Sequence, residues 1–329
     1  MKPQDKTNQP DATGARLLAE KLRGILLPFP TPFSADGEID GEALCRNLAR
    51  WNETGVRGYV ALGSTGERVH LDEREYLQVV ETARESVGAE MVLLAGAGQQ
   101  STRGSIEEVR RAARAGADGV LVITPGFYRG AMTQAALTKH YESVADASVV
   151  PLVLYNIPQN TGIALAPETV ARLAEHENIT GIKDSSGDMV NMTEMLRLVP
   201  EGFAALTGHG ALLHASLLSG ARGGILAVAC AAPRLSVAIY EAVEAGAYAR
   251  ALEMQRRLAP LAKAVTTRFG IGGLKAALDL CGYEGGHVRA PLEAVSEEAQ
   301  RELARLVEES ALAPGEEVFL SRTAGGART

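Results

Sequence analysis

Lys183 stands in Gly181-Ile182-Lys183-Asp184-Ser185-Ser186, at the end of a short apolar run that opens at Ile179. An ammonium on a buried strand is rare unless it is paired or put to use. Burial favours the neutral amine, which attacks carbonyl carbon to give a Schiff base. The plainer reading is a strand-end lysine whose stem packs while its head reaches water. Tyr155, in Leu154-Tyr155-Asn156-Ile157-Pro158, is suited to passing protons to and from a hydroxyl, and equally to being a core tyrosine with a satisfied OH. Gly63-Ser64-Thr65-Gly66-Glu67 offers glycine-freed backbone N–H groups and two hydroxyls. That makes either a nest for the carboxylate of a 2-oxo acid or an ordinary glycine-rich turn. Thr124-Pro125-Gly126-Phe127-Tyr128 adds an aromatic loop, at an active site or at a subunit contact.

These residues need elements to hold them together. Short apolar runs at 24–33, 58–63, 92–96, 119–124, 152–157, 179–183, 204–207 and 224–228 read as parallel strands buried on both faces. Amphipathic stretches alternate with them. Asp72 and Thr133 stand where helix caps are expected, and Pro167 fits a first helical turn. Eight such units over residues 21–245 predict a (β/α)8 TIM barrel. A doubly wound open sheet is the alternative, but neither G-x-G-x-x-G nor a Walker A run is present. Residues 246–312 predict a C-terminal helical extension, with helices over 248–268, 274–280 and 296–309. Residues 1–20 and 313–329 read as flexible tails. In a barrel of this kind, chemistry belongs at the C-terminal ends of the strands, where Lys183, Tyr155 and the Ser64 turn all fall.

Composition narrows the class. A net charge of −7 in 329 residues argues against nucleic-acid or acidic-membrane partners. No apolar run is long enough to span a bilayer, and residues 1–14 resemble neither a secretory signal nor a transit peptide. Cys45, Cys230 and Cys281 are odd in number and far apart, as expected of reduced cysteines in a cytoplasmic protein. His209 and His214 lack the spacing of a helical zinc pair, so no metal is expected. Ser64 and Ser185 lie outside any G-x-S-x-G frame, against a hydrolase triad.

Taken in order, Gly63–Glu67, Leu154–Pro158 and Gly181–Asp184 resemble the dihydrodipicolinate synthase / N-acetylneuraminate lyase superfamily of Schiff-base aldolases, over residues 22–312. The resemblance implies a (β/α)8 barrel with C-terminal helices, assembled as a homotetramer, a dimer of dimers. It implies a covalent imine of Lys183 with pyruvate or a pyruvate-containing substrate, and no separate cofactor. Tyr155 becomes the proton shuttle and Ser64 a relay to a tyrosine donated by a neighbouring subunit, for which Tyr128 or, failing it, Phe127 is the candidate. Thr65 and the Ser64 backbone would hold the 2-oxo acid carboxylate, with Gly66, Asn160, Ser185 and Gly208 as further substrate contacts.

Within the superfamily, the lysine-pathway synthases place an arginine two residues after the proline of Tyr-Asn-x-Pro, where it grips the carboxylate of aspartate semialdehyde. Here that position is Asn160. A neutral amide does not replace a bidentate guanidinium–carboxylate pair. Phe127–Gly130, Gln159–Gly162, Lys183–Gly187, Val265–Ile271, Gly282–Gly286 and Arg289–Pro291 are instead similar to the 4-hydroxy-2-oxoglutarate aldolases, which yield pyruvate and glyoxylate. Thr65 departs from that subgroup, whose animal member has Asn beside the serine. The expectation is therefore a class I aldolase cleaving a 4-hydroxy-2-oxo acid. Dihydrodipicolinate synthase-like condensation and 2-keto-3-deoxy sugar acid aldolase or dehydratase activity are the alternatives, and a non-catalytic 2-oxo acid sensor is disfavoured.

Overall fold

The apolar runs form eight parallel strands that close on themselves in sequence order, in a computed structural model describing residues 12–311. The strands are β1 Gly24–Leu27, β2 Gly58–Ala61, β3 Val92–Ala97, β4 Gly119–Ile123, β5 Leu152–Asn156, β6 Ile179–Asp184, β7 Ala204–Thr207 and β8 Gly223–Ile225. Most strand ends lie within a residue or two of expectation, and two strands stop further short. β1 stops at Leu27, because Pro28, Pro30 and Pro32 lack the N–H a ladder requires. β8 stops at Ile225, and Ala227–Ala231 turn into a short helix.

The helices run α1 Ala12–Lys21, α2 Gly41–Trp51, α3 Glu73–Ser86, α4 Thr102–Arg114, α5 Gln134–Ala147, α6 Pro158–Thr161, α7 Pro167–Leu173, α8 Met189–Leu198, α9 Leu213–Leu218, α10 Ala227–Ala231, α11 Pro233–Glu244, α12 Tyr248–Lys263, α13 Gly270–Leu280 and α14 Glu297–Glu309. Their starts are written in the sequence. Asp72 closes a capping box with Glu75, Thr133 accepts from Ala136 N, and Pro167 opens α7. A π-type turn, Ala264–Arg268, joins α12 to α13, so the helix expected over 248–268 changes winding before it ends.

Alternation along the strands sorts side chains into two cores. Leu93 and Ala95 of β3, Val120 and Val122 of β4, and Leu152 and Leu154 of β5 face the helices. Val92, Leu94, Leu121, Val153 and Tyr155 fill the barrel. Leu18 and Leu22 join this inner cluster from below, so α1 stoppers the N-terminal mouth. The sequence reading of residues 1–20 as a tail is corrected for Ala12 onward. A ten-residue helix with Ala15, Leu18 and Ala19 on its buried side has apolar surface to cover, and each leucine buried contributes about 1.5–3 kcal/mol. Residues 1–11 and the expected tail over 313–329 lie outside the described residues.

β5 and β6 pair through an irregularity. Leu152 lies opposite Ile179, yet Val153 lies opposite Gly181, leaving Thr180 as an extra residue whose hydroxyl donates to Leu152 O at 3.1 Å. From there on, Tyr155 is opposite Lys183 and Asn156 opposite Asp184. No helix among the described residues is long and apolar enough to cross a membrane.

His140, buried on α5, meets Thr102 Oγ1 through Nδ1 at 2.9 Å, and burial pushes its pKa down to about 4. In the unfolded chain it titrates near its ordinary value, about 6.5. Between those values the unfolded chain takes up a proton that the fold refuses. His140 therefore contributes stability above about pH 6.5 that drains away toward pH 4, by up to about 3 kcal/mol. Urea midpoints at pH 7.5 and 4.5 should diverge in the wild type and draw together in His140→Gln; an equal divergence in both would refute the assignment.

Candidate active site

Lys183 is only 3 % exposed and points into the barrel at its C-terminal end, opposite Tyr155 on the neighbouring strand. Its Nζ lies over the Tyr155 ring, 4.5 Å from the centroid. The Tyr155 hydroxyl is 3.4 Å from Ser64 Oγ, which arrives from the turn after β2. Lysine, tyrosine and serine thus stand in one line across β6, β5 and the β2 turn. Room for the lysine stem comes from Gly208: a methyl there would meet Ser185 Oγ at 1.9 Å and Lys183 Cε at 3.0 Å. Gly208 and Ser185 therefore belong to the wall around the lysine, and Gly208 N donates to Asp184 O at 2.6 Å. Asp184 points away from the barrel interior, where Asn156 Nδ2 (2.7 Å) and Ser186 Oγ (2.8 Å) donate to it, while burial raises its pKa.

The turn carrying Ser64 and Thr65 is bracketed by Leu62 (φ 57°) and Glu67 (φ 55°), the non-glycine residues with positive φ among the described residues. Such conformations cost about 1–3 kcal/mol each and persist only where the surroundings impose them. At Leu62 a glycine follows, and Ser64–Gly66 then tighten into a 3-10 turn with Gly66 O accepting from Thr31 Oγ1 at 2.8 Å. At Glu67 the constraint is ionic. Its buried carboxylate meets Lys275 Nζ of α13 at 2.6 Å, accepts from Arg289 N at 3.0 Å, and lies 3.3 Å from His70 Nδ1. Lys275 also donates to His287 O and covers the Phe33 ring at 4.6 Å. Burial lowers the Lys275 pKa, and the Glu67 carboxylate pulls it back up. The C-terminal extension therefore grips the turn on which Ser64 sits.

Above these groups opens a cavity of about 780 Å³, lined by Ser64, Tyr155, Asn160, Phe127 and Arg129 among others, with Ile271 and Leu292 contributed by the C-terminal extension. Of the expected site residues, Ser64, Tyr155 and Asn160 face this space. Thr65 is half-buried and Gly66 buried in the adjoining turn, but neither lines the cavity. Tyr128 is 68 % exposed and stacks edge-on against Phe127 at 5.1 Å; within one chain it is Phe127 that lines the cavity. No group of three or more His, Cys, Asp or Glu side chains that could hold a metal occurs among the described residues.

Sequence reasoning missed the Glu67–Lys275 pair, the Arg68–Glu108 pair in the cavity wall, and Arg129. A faint signal existed for Lys275: it sits among Leu274, Ala277 and Leu278, on the side of α13 that must be buried.

Comparison with known proteins agrees with the barrel. The chain matches the dihydrodipicolinate synthetase family over residues 21–310. The 4-hydroxy-tetrahydrodipicolinate synthase of Exiguobacterium sp. is 37 % identical over 286 residues, 87 % of this chain and 97 % of that protein. The one from Methylobacterium radiotolerans is 38 % identical over 286 residues, covering 87 % and 94 %. Among solved structures, dihydrodipicolinate synthase from Thermotoga maritima superposes with a TM-score of 0.84 at 32 % identity, covering 88 % of this chain and 98 % of that one. A prophage protein of the dihydrodipicolinic acid synthase family from E. coli K12, solved in complex with pyruvate, gives 0.83 at 32 %, covering 88 % and 99 %. The fold and the family match are those of a pyruvate-dependent carbon–carbon lyase working through a lysine Schiff base, with no external cofactor. More narrowly, the chain belongs to the dihydrodipicolinate synthetase family. These relatives bear the synthase name, and the narrower likeness to 4-hydroxy-2-oxoglutarate aldolases drawn from the sequence has no support from them.

Removing one member of a buried ion pair strands the other. Glu67→Gln should lower unfolding free energy by about 3–5 kcal/mol in urea titration, whereas Glu67→Gln with Lys275→Met should regain most of the loss. A double variant no more stable than the single one would contradict the pairing.

Proposed function

We propose that Lys183 of this chain forms an imine with pyruvate, and that Tyr155 and Ser64 move the protons of a reversible aldol reaction. The observation that carries this is the buried Lys183 ammonium held 4.5 Å over the ring of Tyr155, whose hydroxyl reaches Ser64. The Lys183 amine adds to the C2 carbonyl and water leaves. The protonated imine withdraws electrons, so loss of a C3 proton gives an enamine. C3 of the enamine then attacks an aldehyde, Tyr155 protonates the new alkoxide, and hydrolysis frees both product and lysine. The relatives favour aspartate semialdehyde as the aldehyde, the condensation for which 4-hydroxy-tetrahydrodipicolinate synthases are named.

Asn160 favours a second reading. It lines the cavity where the synthases carry a guanidinium, and it is neutral. The steps above run backwards for 4-hydroxy-2-oxoglutarate: Tyr155 takes the C4 hydroxyl proton, the C3–C4 bond breaks, and glyoxylate leaves before pyruvate. The exposure of Tyr128 leaves it free to complete a neighbouring subunit's site, as the expected homotetramer requires.

Pyruvate with borohydride should fix a reduced adduct on Lys183, located by peptide mass mapping and lost in Lys183→Ala. An adduct on Lys139 or Lys275 instead would sink the proposal. In a panel of pyruvate with aspartate semialdehyde, 4-hydroxy-2-oxoglutarate, and 2-keto-3-deoxy sugar acids, the true substrate should exceed the others in kcat/KM by about 100-fold or more. A sugar acid at the head of the panel would overturn both readings of the aldehyde.

A further inference from the structure

The cavity holds three side chains able to carry positive charge, and two are already engaged. Arg68 is held by Glu108 and by Gly98 O at 2.8 Å. His70 lies 3.3 Å from the Glu67 carboxylate, which is itself bound to Lys275. Arg129 is the third, and among the described residues it has no carboxylate partner. It is exposed and lies in the loop after β4, along the rim that also carries Asn160.

Its position is built. Gly126 N (3.1 Å) and Phe127 N (2.8 Å) both donate to Gln100 Oε1, which ties the loop to the end of β3. On the other side the Arg129 side chain passes close over Gly162, just past Asn160. A methyl at Gly162 would meet Arg129 Nε at 2.7 Å and Cζ at 2.9 Å, and φ there is +71°. Glycine thus serves twice at this position, turning the chain out of α6 and leaving room for the guanidinium. A guanidinium so placed, lining the same cavity as Asn160 while the other cationic side chains of that lining are engaged, is suited to a carboxylate.

From this we infer that Arg129, together with Asn160, binds a second carboxylate on the aldehyde half of the substrate and so selects acidic over neutral aldehydes. The inference rests on the pyruvate-imine reading, and it holds for aspartate semialdehyde and glyoxylate alike, since both carry that carboxylate. The imine end needs no help from Arg129, which keeps the two assignments separable.

The test compares aldol addition of pyruvate to glyoxylate and to acetaldehyde, with aspartate semialdehyde as a third arm. In wild type, kcat/KM should favour the carboxylated aldehydes. Arg129→Ala should cut that preference by about 100-fold, chiefly through KM for the aldehyde, and Arg129→Lys should restore part of it. Arg129→Ala should still form the borohydride-trapped pyruvate adduct. If the adduct forms and the preference is unchanged, the Arg129 inference fails and the imine reading stands. If wild type forms no adduct, the imine reading fails and takes the inference with it. If Arg129→Ala loses activity equally toward all three aldehydes, Arg129 is structural and the inference again fails.

Discussion

Glu67 and Lys275 lie 208 positions apart in the sequence, and their 2.6 Å contact holds the molecule's working end together. Both side chains are almost fully withdrawn from water, at a desolvation cost of several kcal/mol per ion. Such a pair repays that cost only with close geometry and further polar contacts around it, and several are present here. Arg289 N and His70 complete the carboxylate, and His287 O with the Phe33 face completes the ammonium. Arg289 adds a second tie, its guanidinium bridging Glu75 at 2.7 Å while lying 4.3 Å from the Phe33 ring. The left-handed backbone at Glu67 is the mark this network leaves on the turn, and Ser64 takes its position from that turn. The C-terminal extension therefore helps to set the position of the Ser64 turn from a distance.

The barrel was legible because parallel strands buried on both faces must be apolar nearly throughout, and few other elements look like that. Caps at Asp72 and Thr133, and proline at 167, were legible for local reasons that do not depend on the rest of the chain. Lys183 and Tyr155 could be placed at the catalytic face once the strand order was known. What could not be read was anything that depends on partners distant in sequence. Residues 12–20 read as part of a tail, since the barrel floor that Ala15, Leu18, Ala19 and the following Leu22 cover is built from strands far along the chain. Glu67 read as the last letter of a glycine turn, because its partner lies in another helix far downstream.

The substrate's far end shows the same limit from another side. Asn160 in the sequence registers a missing charge, and a missing charge reads as a change of substrate. Arg129 of the neighbouring loop lines the same cavity as Asn160, and on the inference drawn above its guanidinium takes the place of the missing one. Motif-by-motif reading does not register such an exchange, because the two residues lie in different loops of the sequence. This is why the name shared by the relatives and the amide at position 160 pull in different directions.

Thr180, the extra residue between β5 and β6, has a wider consequence. Counting alternate faces from Ile179 would send Lys183 outward among the helices. The additional residue resets the count, and Ile182 packs outward while Lys183 turns in. The two halves of β6 thus run in different phases, the first set by the helices that cover it and the second by the chemistry at its end. A strand divided in this way can vary its packing half freely while the lysine keeps its aim.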